Sequence, residues 1–461
     1  QAAGAKRAVY SVLTNCTYDG MCYDAEEAQQ RLAQSVDRIH FDEAWYGYAR
    51  FNPMYSRRFA MRGDPAQHPK DGPTVYATHS THKLLAALSQ TSYIHIRDGR
   101  GAIDHARFNE AYCSQASTSP LYALIASNDV AAAMMDGPAG QSLTQETIDE
   151  AVACRLALAR AHREFKARNQ WFFAPWNADE VRDSASGRRV PFFEASEEAL
   201  ATDPACWILH PNESWHGFEG LPEGWCMLDP IKVGVMCPGM RADGQLDSTG
   251  VPADIVTAYL ARHGIVPSRT TDHMVLFLFS IGVTKGKWGT LLNTLLDFKV
   301  DYDRNAPLEE VTPAIAAAAP QRYAGMGLKD LGDQIWEQLR KSRQGHWQAQ
   351  AYASLPRPEL KPRHAFQRLM AGDVERVPVS EMAGRVVTVG VIPYPPGIPI
   401  VMPGENIGAA DGPWLTYLRT LQEFGHRFPG FAKEVEGAEE HDGQYHVQCL
   451  KRAAAKGSAR S

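Results

Sequence analysis

The segment His79-Ser80-Thr81-His82-Lys83 gathers two imidazoles, two hydroxyls and an amine within five residues, directly after the strand-like run TVYAT. Two histidines three apart suit one edge of a metal site, but zinc usually takes a third protein ligand, and no HExxH, Cys-rich or EF-hand pattern stands nearby. Taken alone, the segment also reads as a polar loop with satisfied side chains. Forty-one residues earlier, Asp42 closes another strand-like run in FDEAWYGY. An acid and a lysine at neighbouring strand ends suit a pyridoxal-phosphate site, the amine binding the cofactor aldehyde and the carboxylate holding the pyridine nitrogen protonated. A protonated ring of that kind withdraws electrons from the bond being broken.

Such residues have to be held by a sheet. AVYSVLTN (8–15), RIHFDEAW (38–45), TVYATH (74–79) and SYIHIR (92–97) read as strands, and DAEEAQQRLAQS (24–35) reads as a helix between the first two. Strands alternating with helices imply a mostly parallel, helix-covered sheet, with ligands beyond the strands' carboxyl ends. Residues 120–170 are helical in pattern, with Ser142 and Gln145 spaced as a capping box. CWILH, KVGVMC and MVLFLFSI read as further strands, and DIVTAYLARHG and KWGTLLNTLLDFKVDYD as helices, within 205–303. NAPLEEVTPAIAAAAPQ reads as a linker or domain edge, and the last eleven residues as a frayed end.

Composition narrows the class. The chain has 461 residues, 44% hydrophobic and 22% charged, with a formal charge of −6. That is the make-up of a folded protein of two or three domains, and the absence of like-charge blocks argues against a nucleic-acid surface. The longest apolar runs, MVLFLFSIGV and VVTVGVIP, are about half of the roughly 20 residues that a membrane helix needs. Eight scattered cysteines without CxxC spacing, and an opening decapeptide lacking the apolar stretch of a secretory signal, predict reduced thiols in a cytoplasm.

FDEAWYGYARFNPMY (41–55), ATHSTHKLLAALSQTSYIHIR (77–97), STSPLYALIASNDVAAAMMDG (117–137), SWHGF (214–218), LDPIKV (228–233), HGIVPSRTT (263–271), LFLFSIGVTKGKWGTL (276–291) and IPYPPGIPIVMPGE (392–405) follow one another along the chain. In that order they closely resemble the bacterial Orn/Lys/Arg decarboxylases, over nearly the whole sequence. The resemblance implies an α/β, aspartate-aminotransferase-like large domain, incomplete at its N-terminus, over residues 1–136. A small α+β domain would span 137–305 and a C-terminal α+β domain 306–461.

It further implies that Lys83 carries pyridoxal phosphate, Asp42 pairs with its ring nitrogen, Ala44 packs on the ring, and Ser80 and His82 touch the phosphate or the reacting centre. Ser117 would approach the phosphate from the other subunit of a homodimer, and Trp45 and Tyr394 would line the pocket rim. Either His82 or Lys83 would return the proton at the substrate Cα. The rival readings for Trp45 and Tyr394 are core packing and a loop anchor. Lysine-specific members carry an acid after HGIV where this chain has Ser268. The HSTH, LHPNESWHGF and YIHIRDGRG segments look like the arginine decarboxylases. The expected reaction is therefore L-arginine to agmatine and carbon dioxide, in acid resistance or polyamine metabolism. Glu213 and Asp272 are the candidate guanidinium partners, against a reading of both as surface acids or caps.

Family features expected upstream are a phosphate-binding loop, a ring-stacking histidine and a wing domain that builds decamers; residues 1–41 contain none of them. The chain is thus expected to be the later three-fifths of such an enzyme, a truncated form, or one subunit of a split enzyme whose second chain supplies the start. No metal is expected. Rival functions are a lysine or ornithine decarboxylase, a silent partner of an active homologue, and an aminotransferase. Lys83 and Asp42 argue against the silent partner, and the PYPPG segment against the aminotransferase.

Overall fold

The structure is a computed structural model and describes residues 7–182, 187–241 and 243–452. The chain divides into two compact units, residues 1–236 with 276–293, and 237–275 with 294–461. The segment 137–305, expected as a small domain, contributes to both.

In the first unit, β1 (Ser11–Thr14), β3 (Arg38–Asp42), β4 (Thr74–His79) and β5 (Tyr93–Arg97) form one sheet in that order, and β2 (Met21–Tyr23) lies outside it. β1, β3 and β4 run parallel with Thr14, Asp42 and Thr78 in register, whereas β5 is antiparallel to β4. The expected parallel sheet therefore acquires an antiparallel edge. β3 alternates: Ile39 and Phe41 are buried in a core with Ala25, Ala28, Val36, Ala60, Val75 and Ala77, while Asp42 stays partly exposed at the strand end. The same alternation buries Glu43, the next residue.

Helix α1 (Ala25–Leu32) starts where Asp24 accepts a hydrogen bond from the Glu27 amide at 3.0 Å. The short α2 (Thr81–Leu84) follows β4 and carries His82 and Lys83. After α3 (His105–Cys113) and α4 (Tyr122–Met135), α5 runs from Gly137 to Ala167. It begins at Gly137-Pro138 and not at Ser142, which lies inside the helix. Proline in the first turn gives up no intrahelical hydrogen bond, so the Ser142–Gln145 pair is not a cap. Arg155, fully buried on α5, donates to the carbonyls of Pro230, at 3.0 Å, and Trp176, at 2.9 Å, and so fixes the 229–232 segment against the helix. CWILH is not a strand: Pro204–Trp207 forms a single tight helical turn, consistent with its leading proline, and only Ile208 bridges to Met227.

The second unit has its own core, including Val377, Met382, Val387, Val401, Leu418 and Val447. Three strands, Val374–Pro378, Gln444–Leu450 and Ala438–His441, pair antiparallel in that order. The expected linker near 303–320 is instead structured as helices Leu308–Val311, Pro313–Ala318 and Pro320–Tyr323, which bury Leu308, Val311, Ala316 and Tyr323. Its proline-led turns anchor apolar residues rather than separating domains. Most of the expected frayed end, residues 453–461, lies outside the described residues.

Candidate active site

Asp42 ends the central parallel strand, and the next strand delivers Lys83 through α2. This is the strand-end position at which open α/β sheets bind ligands. The Asp42 carboxylate accepts a hydrogen bond from the Ala44 amide at 3.1 Å, and the Ala44 carbonyl accepts one from the Ser80 amide at 3.3 Å, tying the two strand ends together. The Lys83 ammonium lies 4.7 Å from the centre of the Trp45 ring, whose other neighbour is Tyr18, ring to ring at 5.4 Å. Partial burial lowers the Lys83 pKa below the ordinary lysine value; Asp42 and Tyr18 oppose that shift, and Lys232 reinforces it. A depressed amine pKa makes the nucleophilic free base more accessible, as attack on an aldehyde requires.

His82 is held by its Nδ1, which lies 2.7 Å from the Thr91 carbonyl oxygen. A carbonyl only accepts, so Nδ1 carries the hydrogen and the neutral ring keeps its lone pair on Nε2. Asp42, Ala44, Trp45, Ser80, His82 and Lys83 thus form one neighbourhood. Ser117 stands in an exposed loop, where its hydroxyl accepts the Ser119 amide at 3.1 Å. Glu213 is engaged elsewhere, by Arg189 at 2.8 Å and the Trp215 indole at 3.0 Å, and these partners hold its pKa below the usual carboxylate value despite burial.

Asp272 and Tyr394 belong to the second unit. Asp272 lines a cavity of about 230 Å³ with Arg269, Gln344, Gln348, Tyr417 and Lys433. The Gln344 amide donates to Asp272 at 2.9 Å, while its own buried Oε1 has no hydrogen-bond partner among the described residues. Tyr394 is exposed at the end of the strand Ile392–Tyr394.

Glu43 went unremarked in the sequence. It is fully buried, accepting from the Asn15 amide group at 3.0 Å, the Ala60 amide at 2.7 Å and His79 Nε2 at 3.0 Å. Period-two alternation from Phe41 would have found it. The His79 ring lies 4.8 Å from that of His95, and burial followed by the His79 charge lowers the His95 pKa to about 4. Unfolding releases His95 to an ordinary value near 6.5, so the unfolded chain binds the extra proton between those values. Stability of this unit is expected to fall as pH drops from about 6.5 to 4, and His95→Gln to flatten that slope in urea titrations at several pH values. An unchanged slope in the variant would remove His95 from the account.

Residues 1–287 match the Orn/Lys/Arg decarboxylase major domain, and residues 345–451 match the C-terminal domain of the same family. The chain belongs to the Orn/Lys/Arg decarboxylases, a family of pyridoxal-phosphate enzymes. It is 56% identical to the biodegradative arginine decarboxylase of Escherichia coli K12 over 96% of its own length and 58% of that protein's. It is 44% identical to the lysine decarboxylase LdcA of Pseudomonas aeruginosa, over 96% of the chain and 57% of the relative. Among solved structures, lysine decarboxylase A from Pseudomonas aeruginosa superposes with a TM-score of 0.88 at 43% identity, covering 98% of this chain and 59% of that one. The chain therefore spans somewhat under three-fifths of the length of these relatives. The α/β architecture expected from the sequence agrees with this.

The donor set fits the cofactor: a desolvated amine, a carboxylate at the adjacent strand end, and an aromatic ring beside the amine. Among the described residues no helix is long and apolar enough to cross a membrane.

Proposed function

We propose that the chain carries the catalytic lysine of a decarboxylase acting on a basic L-amino acid, with L-arginine going to agmatine and carbon dioxide. The observation that carries this reading is the Lys83 amine, its pKa lowered by burial, beside Trp45 and in the field of Asp42. Pyridoxal phosphate, when bound, supplies the electron sink for the pair left by departing carbon dioxide. Asp42 keeps the pyridine nitrogen protonated, Ala44 and Trp45 wall the ring and pocket, and Ser80 contributes to phosphate binding. Lys83 would hold the cofactor, and its amine, or His82 once Nε2 has taken up a proton, would return a proton to the substrate Cα. Each turnover consumes one proton, which suits acid resistance as well as polyamine supply.

Identity supports arginine over lysine, 56% against 44% for the relatives named above. Asp272 is the guanidinium partner favoured here: it lines a cavity and faces the Lys433 ammonium at the looser distance of 3.5 Å, whereas Glu213 is held by the Arg189 guanidinium at 2.8 Å. Tyr394 would contribute to the rim. A homodimer with Ser117 reaching the neighbouring site is supported by the exposed apolar residues just beyond it, Leu121, Tyr122, Ile125, Val130 and Met134. A decamer, or a second chain carrying an N-terminal portion, would build on that dimer in the cytoplasm.

The test is carbon dioxide release from L-arginine, L-lysine and L-ornithine by the purified protein with pyridoxal phosphate, alone and with an added N-terminal portion. Arginine is expected to be fastest, and Asp272→Asn to lower kcat/KM for arginine by roughly 10- to 100-fold, the weight of a charge-assisted hydrogen bond. Faster release from lysine would overturn the substrate. An unaffected Asp272→Asn variant would remove that residue from the site.

A further inference from the structure

Next to the lysine site the first unit seals in a cluster that decarboxylation does not use. The sulfurs of Cys16 and Cys22 and a carboxylate oxygen of Asp229 all lie within 4.8 Å of one another, and all three residues are buried. Lys232, also buried, donates from Nζ to Cys16 Sγ at 3.2 Å and to the Thr17 carbonyl at 2.8 Å. Asp229 accepts the hydroxyls of Tyr55, at 2.7 Å, and Tyr48. A metal ion would have to displace that ammonium and both hydroxyls, so the cluster's cation is the lysine itself.

Cys16 and Cys22 bracket a tight turn. The Thr17 amide donates to the Met21 carbonyl at 3.0 Å, the Gly20 amide to the Thr17 carbonyl at 3.0 Å, and the Met21 amide to the Thr17 hydroxyl at 2.9 Å. The turn brings the two sulfurs within 4.8 Å of each other, so a modest shift of the turn carries them to the roughly 2.03–2.05 Å of an S–S bond. The turn carries Tyr18, whose ring packs at a tilt against Trp45, 5.4 Å centre to centre, and which acts electrostatically on Lys83. The base of the turn and the surroundings of the lysine are therefore mechanically linked.

We propose that Cys16 and Cys22 form an oxidant-responsive disulfide that clamps the Thr17–Met21 turn and, through Tyr18 and Trp45, resets the surroundings of Lys83. The thiolate is the reactive form of cysteine, and Lys232 supplies the counter-ion for it at Cys16. Hydrogen peroxide oxidises Cys16 to the sulfenic acid and leaves as one water. The Cys22 sulfur then attacks the Cys16 sulfur, forming the S–S bond and expelling the hydroxyl as a second water, so two thiols reduce one peroxide. Burial admits a small neutral oxidant and keeps out glutathione disulfide.

The test reads mass, so it stands or falls separately from the decarboxylase reading. Purified protein is treated with hydrogen peroxide or glutathione disulfide, quenched, unfolded, alkylated with iodoacetamide and digested with trypsin. Both cysteines fall in the single peptide 8–31, between Arg7 and Arg31. Peroxide is expected to leave that peptide about 2 Da light, from the two hydrogens lost, and closed to alkylation until reduced; glutathione disulfide is expected to leave it doubly alkylated. In Cys22→Ser, and in Cys22→Ala as a second variant against misfolding, Cys16 is expected to run on to the sulfinic acid. Two alkylatable thiols after peroxide, or a link from Cys16 to the Lys232 peptide, would overturn the proposal. Borohydride trapping of pyridoxal phosphate on Lys83 is expected to differ in rate between oxidised and reduced protein; equal rates would overturn the coupling to the site.

Discussion

Lys83→Ala is expected to lower decarboxylation by at least about 10³-fold, the scale on which a positioned nucleophile or acid–base group acts, and to abolish the visible absorption that pyridoxal phosphate gains on joining the protein. The size of the effect follows from two duties falling on one amine. On the proposed reading it would hold the cofactor before substrate arrives and stand ready at Cα afterwards. Lys83→Arg separates charge from nucleophilicity: it restores a cation near Trp45 and Asp42, yet a guanidinium stays protonated and cannot attack an aldehyde. The arginine variant should therefore be as inactive as the alanine variant. Because Lys83 is only partly buried and sits in a four-residue helix, neither variant should lose more than a fraction of the wild-type unfolding free energy. Decarboxylation that survived in Lys83→Ala at the wild-type rate would end the reading of this site.

The parts of this site that could be read in the letters are those whose chemistry is local. Asp42 sits at the end of an alternating run and Lys83 follows a polar turn, so strand pattern and residue type together mark both. The antiparallel edge β5 carries the same alternation as a parallel strand, so its direction had no local sign. The start of α5 was misplaced because a capping-box spacing competed with Gly137-Pro138, and the proline won. Tyr18 and Lys232 escaped notice for a different reason. Their roles come from the 16–22 turn and from a segment more than 200 residues away, brought together by Arg155 and the tyrosines on Asp229. Periodicity within a window cannot report a pairing made by the fold.

The same holds for Lys433, where the largest stability effect is expected. Its ammonium lies 2.6 Å from Asp254 and 3.5 Å from Asp272, with all three side chains mostly shielded from water. Burial raises the Asp254 pKa and Lys433 opposes that rise, while the two carboxylates oppose the burial penalty on the lysine and raise its pKa. Lys433→Met keeps the volume and removes the charge, leaving two buried carboxylates facing each other. Breaking such a buried set by removing one partner costs about 3–5 kcal/mol, to be read as a lowered urea midpoint for the second unit. The pH dependence fixes the cause. Without its cation, Asp254 has a folded pKa further above the unfolded value of about 3.9, so the folded state binds the extra proton, and stability declines as pH climbs from the unfolded toward the folded pKa. The deficit of Lys433→Met against wild type should accordingly be smallest in acid and full at neutral pH, and Lys433→Arg should recover part of it. A deficit independent of pH would assign the loss to packing of the lysine stem. Asp272 also lines the proposed guanidinium cavity, so the cation that stabilises this unit competes with substrate for the same carboxylate. Tighter arginine binding by a folded Lys433→Met protein, at the cost of its stability, is the outcome that this competition requires.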